Sequence, residues 1–310
     1  MNLKHTILNS SVPLLFFEQV PPAADKTEAA DATLAELEKV RPLADAINVP
    51  EIRDEGRQGE RTYKFVPRVE PRVLGARIAK ELNSEVVINR VVVHEADQLS
   101  WFRRTWEEFG IQNVVLVGGE SREVRYPGPG VAQAAEMVRS AQLPFCLGGI
   151  TIPSRIHEAD RIRAKHAAGL DFFTTQILFD SNDIVWLIQR LNGLSARIFL
   201  SFAPVSHPGD LRFLRWLGAD IPQELDRFLL QSDQGAPAAA ETCFERSLSL
   251  AQRTLMDVFD NLPPDPPPLG LNIEHINQRN YKGAVKMLET LGNLFVGLVA
   301  ARTRSSFAST

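Results

Sequence analysis

The chain has 310 residues, of which 44% are hydrophobic and 23% are charged, which is ordinary for a soluble globular protein. Its formal net charge of −4 lacks the basic excess of nucleic-acid-binding proteins, so we expect no nucleic-acid partner. The two cysteines, Cys146 and Cys243, lie far apart and outside any zinc-ligand spacing, which excludes a disulfide framework and argues against a structural zinc site.

The first 17 residues contain one early lysine and a short apolar run. The run is too short to span a membrane, and no small-residue cleavage site follows it. We therefore interpret it as the first strand of a cytoplasmic protein that has no membrane partner.

Short β-rich runs then alternate with amphipathic segments eight times along the chain. The predicted strands are 14–20, 44–49, 86–93, 113–117, 145–150, 171–177, 197–202 and 269–273. The predicted helices are 26–40, 71–82, 96–109, 131–141, 155–168, 183–191 and 208–217. Between the last two strands the sequence predicts two extra helices, 222–230 and 236–260, followed by a proline-rich linker at 263–268.

Several of these strands are almost entirely apolar, as expected when both faces of a parallel sheet are buried. No G-x-G-x-x-G pattern follows an early strand, which argues against a dinucleotide-binding doubly wound sheet. The count of eight predicts one α/β domain over 1–310, a (β/α)8 TIM barrel with extra helices between strands 7 and 8. We expect the tail 300–310 to be disordered.

Active sites of such barrels lie at the C-terminal ends of the strands, where Glu18 ends the first predicted strand. A carboxyl group inside this apolar run should be partly desolvated, which raises its pKa and suits it to general acid chemistry. A salt-bridged surface carboxylate is the competing interpretation.

Two further polar residues end the fourth and sixth predicted strands. Glu120 follows a Gly-Gly turn, and Gln176 stands among apolar residues, where its amide could pair with the edge of a heterocycle. A helix-capping carboxylate and a core amide are the respective alternatives. The other candidates at the mouth of the barrel are Asn48, Asn89, Arg90, Thr151, Ser154, Arg155, Ser206, His207, Glu274, His275 and Asn277.

The sequence contains no recognised pattern for a metal, a nucleophile or a triphosphate. Its six histidines lack the His-Glu-x-x-His spacing, so no metal site is expected, and both the Gly-x-Ser-x-Gly elbow and the Walker loop are missing. The residues alone therefore predict a barrel enzyme with a few candidate carboxylates.

Four ordered motifs resemble the methylenetetrahydrofolate reductase family. Residues 17–22 (FEQVPP) are similar to that family's Phe-Glu-x-x-Pro-Pro, and 114–120 (VVLVGGE) to its strand that ends in Arg-Gly-Asp. Residues 165–180 resemble Lys-x-x-Ala-Gly-Ala-x-x-x-x-Thr-Gln-x-x-x-Asp, and 203–222 carry the later Pro-Ile and Ile-Pro elements.

This resemblance implies the reduction of 5,10-methylenetetrahydrofolate to 5-methyltetrahydrofolate with electrons from NAD(P)H. It implies that Glu18 is the acid that opens the imidazolidine ring, that Gln176 contacts the pterin, and that Glu120 replaces an aspartate near the pterin and flavin. Asn48 and His207 complete the predicted substrate site.

Family members hold FAD through a Thr-Tyr pair and two histidines, and this chain lacks the tyrosine and both histidines at the matching stretches. The predicted cofactor residues are therefore Asn89, Thr151, Arg155 and Lys165. We expect weak or absent FAD binding, with hydride passing directly from the nicotinamide to the folate.

Two alternatives remain open from the sequence. One is another C1-transfer barrel that binds a pterin without reducing it, although the retained Glu18 argues against this. The other is a non-catalytic folate-binding subunit that needs a partner for electrons. The sequence also leaves open whether the protein is a homo-oligomer.

Overall fold

The computed structural model describes residues 3–9, 12–55, 61–119, 124–231 and 238–308. Eight parallel strands close into a barrel in which each strand pairs with its neighbours in sequence and β8 pairs with β1, which confirms the predicted fold. The strands are β1 Leu15–Gln19, β2 Ala46–Val49, β3 Glu85–Val91, β4 Asn113–Val117, β5 Cys146–Thr151, β6 Phe172–Thr175, β7 Arg197–Phe202 and β8 Leu269–His275.

Helices cover the outside of the barrel, and the predicted extra helices between β7 and β8 are present. The first seven are α1 Leu3–Leu8, α2 Thr27–Val40, α3 Pro71–Leu82, α4 Gln98–Phe109, α5 Val131–Ser140, α6 Glu158–Ala167 and α7 Asn182–Arg190. The remaining four are α8 Pro208–Trp216, α9 Glu224–Leu230, α10 Ala240–Asp260 and α11 Tyr281–Ala308.

Aromatic rings fill the middle of the barrel interior. Phe16 of β1 stacks on Phe199 of β7 with ring centroids 4.0 Å apart, and Phe172 of β6 meets Phe199 edge to face at 5.7 Å. Gly270 of β8 makes room for this layer, because a Cβ there would lie 2.5 Å from the Phe199 ring. Successive residues of a strand face opposite sides. The next inward residues toward the C-terminal ends, Glu18 in β1 among them, therefore lie above an apolar floor.

The N-terminal end of the barrel is closed by α1, a helix that the sequence did not predict. Leu3 and Ile7 of this helix pack with the barrel interior. Arg197 at the start of β7 is fully buried and donates hydrogen bonds to backbone carbonyls of this segment and of β8. The acceptors are the carbonyl oxygens of Thr6, Ile7, Asn9, Val12 and Leu269.

The C-terminal helix continues beyond the point where the sequence predicted disorder. Residues 300–308 belong to α11, and 309–310 lie outside the described residues. Arg302 helps to hold this end, since its Nη2 donates to the carbonyl oxygen of Pro263 at 2.8 Å. Residues 300–308 of the predicted tail are therefore helical in the structure.

Among the described residues, one helical segment, Gln278–Arg304, is long and apolar enough to cross a membrane by length and composition. This segment overlaps α11, the outer helix that follows β8. Met287, Leu288, Leu291 and Phe295 are fully buried in the hydrophobic core. One face of this segment thus packs on the barrel, and 33% of its apolar window is buried.

Candidate functional site

Two carboxyl groups face each other at the mouth of the barrel. Strand pairing places Glu18 of β1 opposite Glu274 of β8 and opposite Asn48 of β2. Glu18 shares the inward face of β1 with Phe16, whereas Phe17 packs into the outer core. Three adjacent strands therefore present two acids and an amide at one level of the interior.

Each carboxyl group is held by an amide from a strand. Asn48 Nδ2 donates to Glu18 Oε2 at 3.0 Å. Asn272, two residues before Glu274, donates through Nδ2 to Glu274 Oε1 at 3.3 Å and to Ser201 Oγ at 3.1 Å. The second acid thus lies in a small network with β7, while the first has a single amide partner.

The surroundings favour the neutral form of both acids. Burial raises the pKa of Glu18 well above its ordinary value, and the neighbouring charge of Glu274 raises it further. Burial also raises the pKa of Glu274 to about 7, against the opposing effect of its hydrogen bonds with Ser201 and Asn272. Glu18 is therefore suited to carry a proton at neutral pH, as its position in the sequence predicts.

Three side-chain carbonyl oxygens of this region are buried without a hydrogen-bond partner among the residues that the structure describes. They are Asn48 Oδ1, Asn89 Oδ1 and Asn272 Oδ1, on β2, β3 and β8. A buried acceptor left unpaired costs about 1–3 kcal/mol. A ligand that brings N–H groups to the mouth would remove this cost. Asn89, predicted as a cofactor residue, thus belongs to the same set of acceptors as Asn48.

Gln176 lies at the same end of the barrel, immediately after β6. Its Nε2 donates to the carbonyl oxygen of Leu217 at 3.2 Å, and its Oε1 accepts from the backbone N–H of Ile177 at 3.0 Å. These bonds fix the amide between β6 and the end of α8. An amide has two N–H groups and two acceptor lone pairs, so one of each remains for a ligand.

Of the other two predicted substrate residues, the structure describes His207. His207 is exposed and caps α8, where its backbone N–H donates to Asp210 Oδ2 at 3.0 Å and its side chain completes a reciprocal capping box. This local role accounts for the residue. Glu120 lies outside the described residues.

The predicted cofactor residues on β5 and α6 bind to the protein itself. Thr151 Oγ1 donates to the buried Glu158 at 2.9 Å. Lys165 Nζ donates to the carbonyl oxygen of Ile150 at 3.0 Å, and burial lowers its pKa. Arg155 is exposed. Thr151 and Lys165 are therefore engaged by contacts within the protein, and these residues do not form a cradle for a flavin.

Arg90, another candidate from the sequence, is also structural. Its buried guanidinium pairs with Glu95 at 2.7 Å and with Glu51 at 3.5 Å, and it lies 4.7 Å from the centre of the Trp101 ring. These contacts fix the charged loop after β2 to the turn after β3.

That loop borders a cavity of about 540 Å³ beside the mouth. The loop returns to the exit of β1 through an isolated antiparallel bridge between Ala23 and Arg68. Arg68 Nη1 donates to the carbonyl oxygen of Pro21 at 3.4 Å. The cavity walls come from 51–54, Phe65, 67–71 and His94, and they carry charges of both signs.

Sequence reasoning named Glu274 only among many candidates and missed Asn272 and Ser201. The signal was nevertheless present, because Asn272 and Glu274 stand two residues apart after the apolar start of β8. Such spacing puts both side chains on one face. Their partners on β7 and β1 depend on strand register, which no local pattern specifies.

Metal ligands were not expected from the sequence. Within the described ranges, no group of three or more His, Cys, Asp or Glu side chains is placed to hold a metal ion.

No family model and no curated protein matches the chain. A solved structure described as an uncharacterized protein from Clostridium thermocellum that binds two copies of 5-methyl-5,6,7,8-tetrahydrofolic acid is 19% identical, with a TM-score of 0.75. The match covers 94% of this chain and 99% of that one. A Xanthomonas albilineans dihydropteroate synthase, solved with indole-2-carboxylic acid and 6-chloroguanine, is 14% identical over 91% of this chain and 92% of its own, with a TM-score of 0.46. The first similarity supports the barrel fold.

Proposed function

We propose that this chain binds a reduced folate at the mouth of the barrel and reduces 5,10-methylenetetrahydrofolate to 5-methyltetrahydrofolate with NAD(P)H. The observation that carries the proposal is Glu18, an acid whose surroundings keep it protonated. It lies beside Asn48 in a mouth that is rich in unpaired acceptors.

The folate is favoured by hydrogen-bond complementarity. The edge of a tetrahydropterin ring carries several N–H groups, and the mouth offers the Oδ1 atoms of Asn48, Asn89 and Asn272. The motif resemblance points to the same ligand class. So does the described ligand of the Clostridium thermocellum structure, which shares the fold.

Glu18 supplies the chemistry that the first step of this reduction requires. Protonation of N10 weakens its bond to the methylene carbon, so that the five-membered ring opens to an iminium at N5. A carboxyl group is an effective general acid when it still holds its proton at the working pH. Burial and the facing Glu274 provide this condition. NAD(P)H enters the proposal as the second substrate.

The direct test is an assay of NAD(P)H oxidation by the purified chain with 5,10-methylenetetrahydrofolate, together with a visible absorption spectrum. We expect one equivalent of nicotinamide to be oxidised for each 5-methyltetrahydrofolate formed, without a stoichiometric flavin spectrum. Yellow protein whose activity follows its flavin content would contradict the flavin-free form of the proposal. No oxidation with either nicotinamide would contradict the reduction itself.

A folate-binding protein without redox activity is the second candidate. It is favoured by Thr151 and Lys165, because the groups predicted to contact a redox cofactor are already bonded to Glu158 and to the backbone. Tight binding of 5-methyltetrahydrofolate in a calorimetric titration, with no nicotinamide oxidation in the assay above, would select this candidate.

A further inference from the structure

The two acids at the mouth differ in the number of hydrogen bonds that stabilise their charged forms. Glu274 is hydrogen-bonded to Asn272 and Ser201, whereas Asn48 is the one partner of Glu18 among the described residues. Hydrogen bonds donated to a carboxylate favour its ionised form. Of the pair, Glu274 is therefore the acid that ionises first, and Glu18 is the one that retains a proton.

The neighbourhood of Glu18 is otherwise uncharged within the described part of the chain. The floor below it is the ring of Phe16, and Arg197 lies beyond that floor at the opposite end of the barrel. Glu274 is the charged group whose field acts on Glu18. The polar side chains of the other interior strands near the mouth are neutral, namely Asn48, Asn89, Gln176 and Ser201.

We propose that Glu18 and Glu274 form a proton-holding pair in which the ionised Glu274 keeps the proton on Glu18. Glu274 is thus a positioning residue that acts on the ligand through Glu18. Its effect on turnover rests on the proposed function, but the pairing itself does not. As pH rises, Glu274 loses its proton, and the new negative charge then opposes ionisation of the acid that faces it across the β1–β8 pair.

The pairing is testable without substrate, by infrared titration of protonated carboxyl groups. The titrations compare the wild-type chain with Glu18→Gln, Glu274→Gln and Glu274→Asp. Glu136→Gln serves as the control, because Glu136 is exposed on α5, far from the mouth. Thermal melts verify that each variant is folded.

In the wild type we expect two steps, the lower near neutral pH from Glu274 and the upper from Glu18. In Glu274→Gln the remaining acid should titrate lower than the wild-type upper step by more than about one pH unit, since the opposing charge is gone. Glu274→Asp keeps the negative charge, so the upper step should stay close to its wild-type pH. Glu18→Gln should keep only the lower step, and Glu136→Gln should keep both.

Two results would overturn the pairing. The first is a titration of Glu18 that is the same in Glu274→Gln as in the wild type. The second, which is measured on the wild type alone, is ionisation of both acids below about pH 5. If the titrations agree with the pairing while the wild type oxidises no nicotinamide, the pair stands and the reductase function fails. If the pairing and the reductase function are both supported, the alkaline limb of the plot of turnover against pH should move to lower pH in Glu274→Gln.

Discussion

Replacement of Arg197 by methionine should destabilise the barrel strongly. The guanidinium donates to five backbone carbonyls, and its bonds to Thr6, Ile7 and Leu269 are buried. Methionine is similar in length but donates nothing, so the carbonyls of Ile7 and Leu269 lose this donor, whereas that of Thr6 still accepts from the backbone N–H of Asn9. Burial raises the pKa of Asp45, and the variant also removes the positive charge of Arg197 that opposes this rise.

The size of the effect follows from these contacts. Each buried acceptor left unpaired costs about 1–3 kcal/mol, so that the carbonyls of Ile7 and Leu269 together cost about 2–6 kcal/mol. Part of this is offset, because the variant no longer buries a charge, and burial already lowers the pKa of Arg197 to about 10. Loss of one partner from a buried charged network typically costs about 3–5 kcal/mol, and we expect a net loss of that size.

Urea unfolding followed by circular dichroism measures this loss, provided that the slope with denaturant is unchanged. Arg163→Met is the matched control, because the exposed Arg163 also donates to two carbonyls, those of Arg190 and Asn192. We expect the control to cost less than about 1 kcal/mol. A loss below about 1 kcal/mol in Arg197→Met would refute the argument that this residue closes the N-terminal end of the barrel.

Further variants test the aromatic floor, with an exposed glycine as the control, and the buried His275. Gly270→Ala should cost about 1–3 kcal/mol in urea unfolding, because its Cβ would lie 2.5 Å from the Phe199 ring. Gly297→Ala, which meets nothing within 4 Å in α11, should be neutral or stabilising, and equal effects of the two would contradict the steric argument. Burial lowers the pKa of His275 from 6.5 to about 4, so the unfolded chain binds a proton that the folded chain excludes between these values. The contribution of the neutral His275 to the free energy of unfolding is fully present above pH 6.5 and is lost as the pH falls toward 4. The stability difference between wild type and His275→Gln should therefore fall by about 3 kcal/mol from pH 7 to pH 4, and a pH-independent difference would contradict the shift.

The eight strands could be predicted because parallel barrel strands are buried on both faces and are bounded by glycine, proline and polar residues. Helix α1 has six residues, which is too short for a visible periodicity, and its stability comes from Arg197 and the barrel floor. The end of α11 is a related case. Its serines, threonines and arginines look like a frayed tail, whereas contacts such as that of Arg302 with Pro263 hold it in place.

The site was predictable only where position along a strand decides the chemistry. Glu18 stands in an apolar run at a strand end, so its burial and its raised pKa follow from the sequence. Thr151 and Lys165 were predicted to bind a cofactor in the same way. Their hydrogen bonds go instead to Glu158 of α6 and to the carbonyl oxygen of Ile150. Which strand-end residues face the mouth depends on register, and this is why Glu274 was not singled out.

The central claim is that Glu18 donates a proton to a folate bound at the mouth, and Glu18→Gln tests it most directly. Calorimetric titration with 5-methyltetrahydrofolate should give dissociation constants within about threefold of each other for wild type and variant, because the amide keeps the shape and the hydrogen bonding of the acid. Turnover of 5,10-methylenetetrahydrofolate should fall by about 10²–10⁴-fold, the usual contribution of general acid catalysis. A variant that binds and turns over like the wild type, or a wild type that binds no reduced folate, would contradict the account.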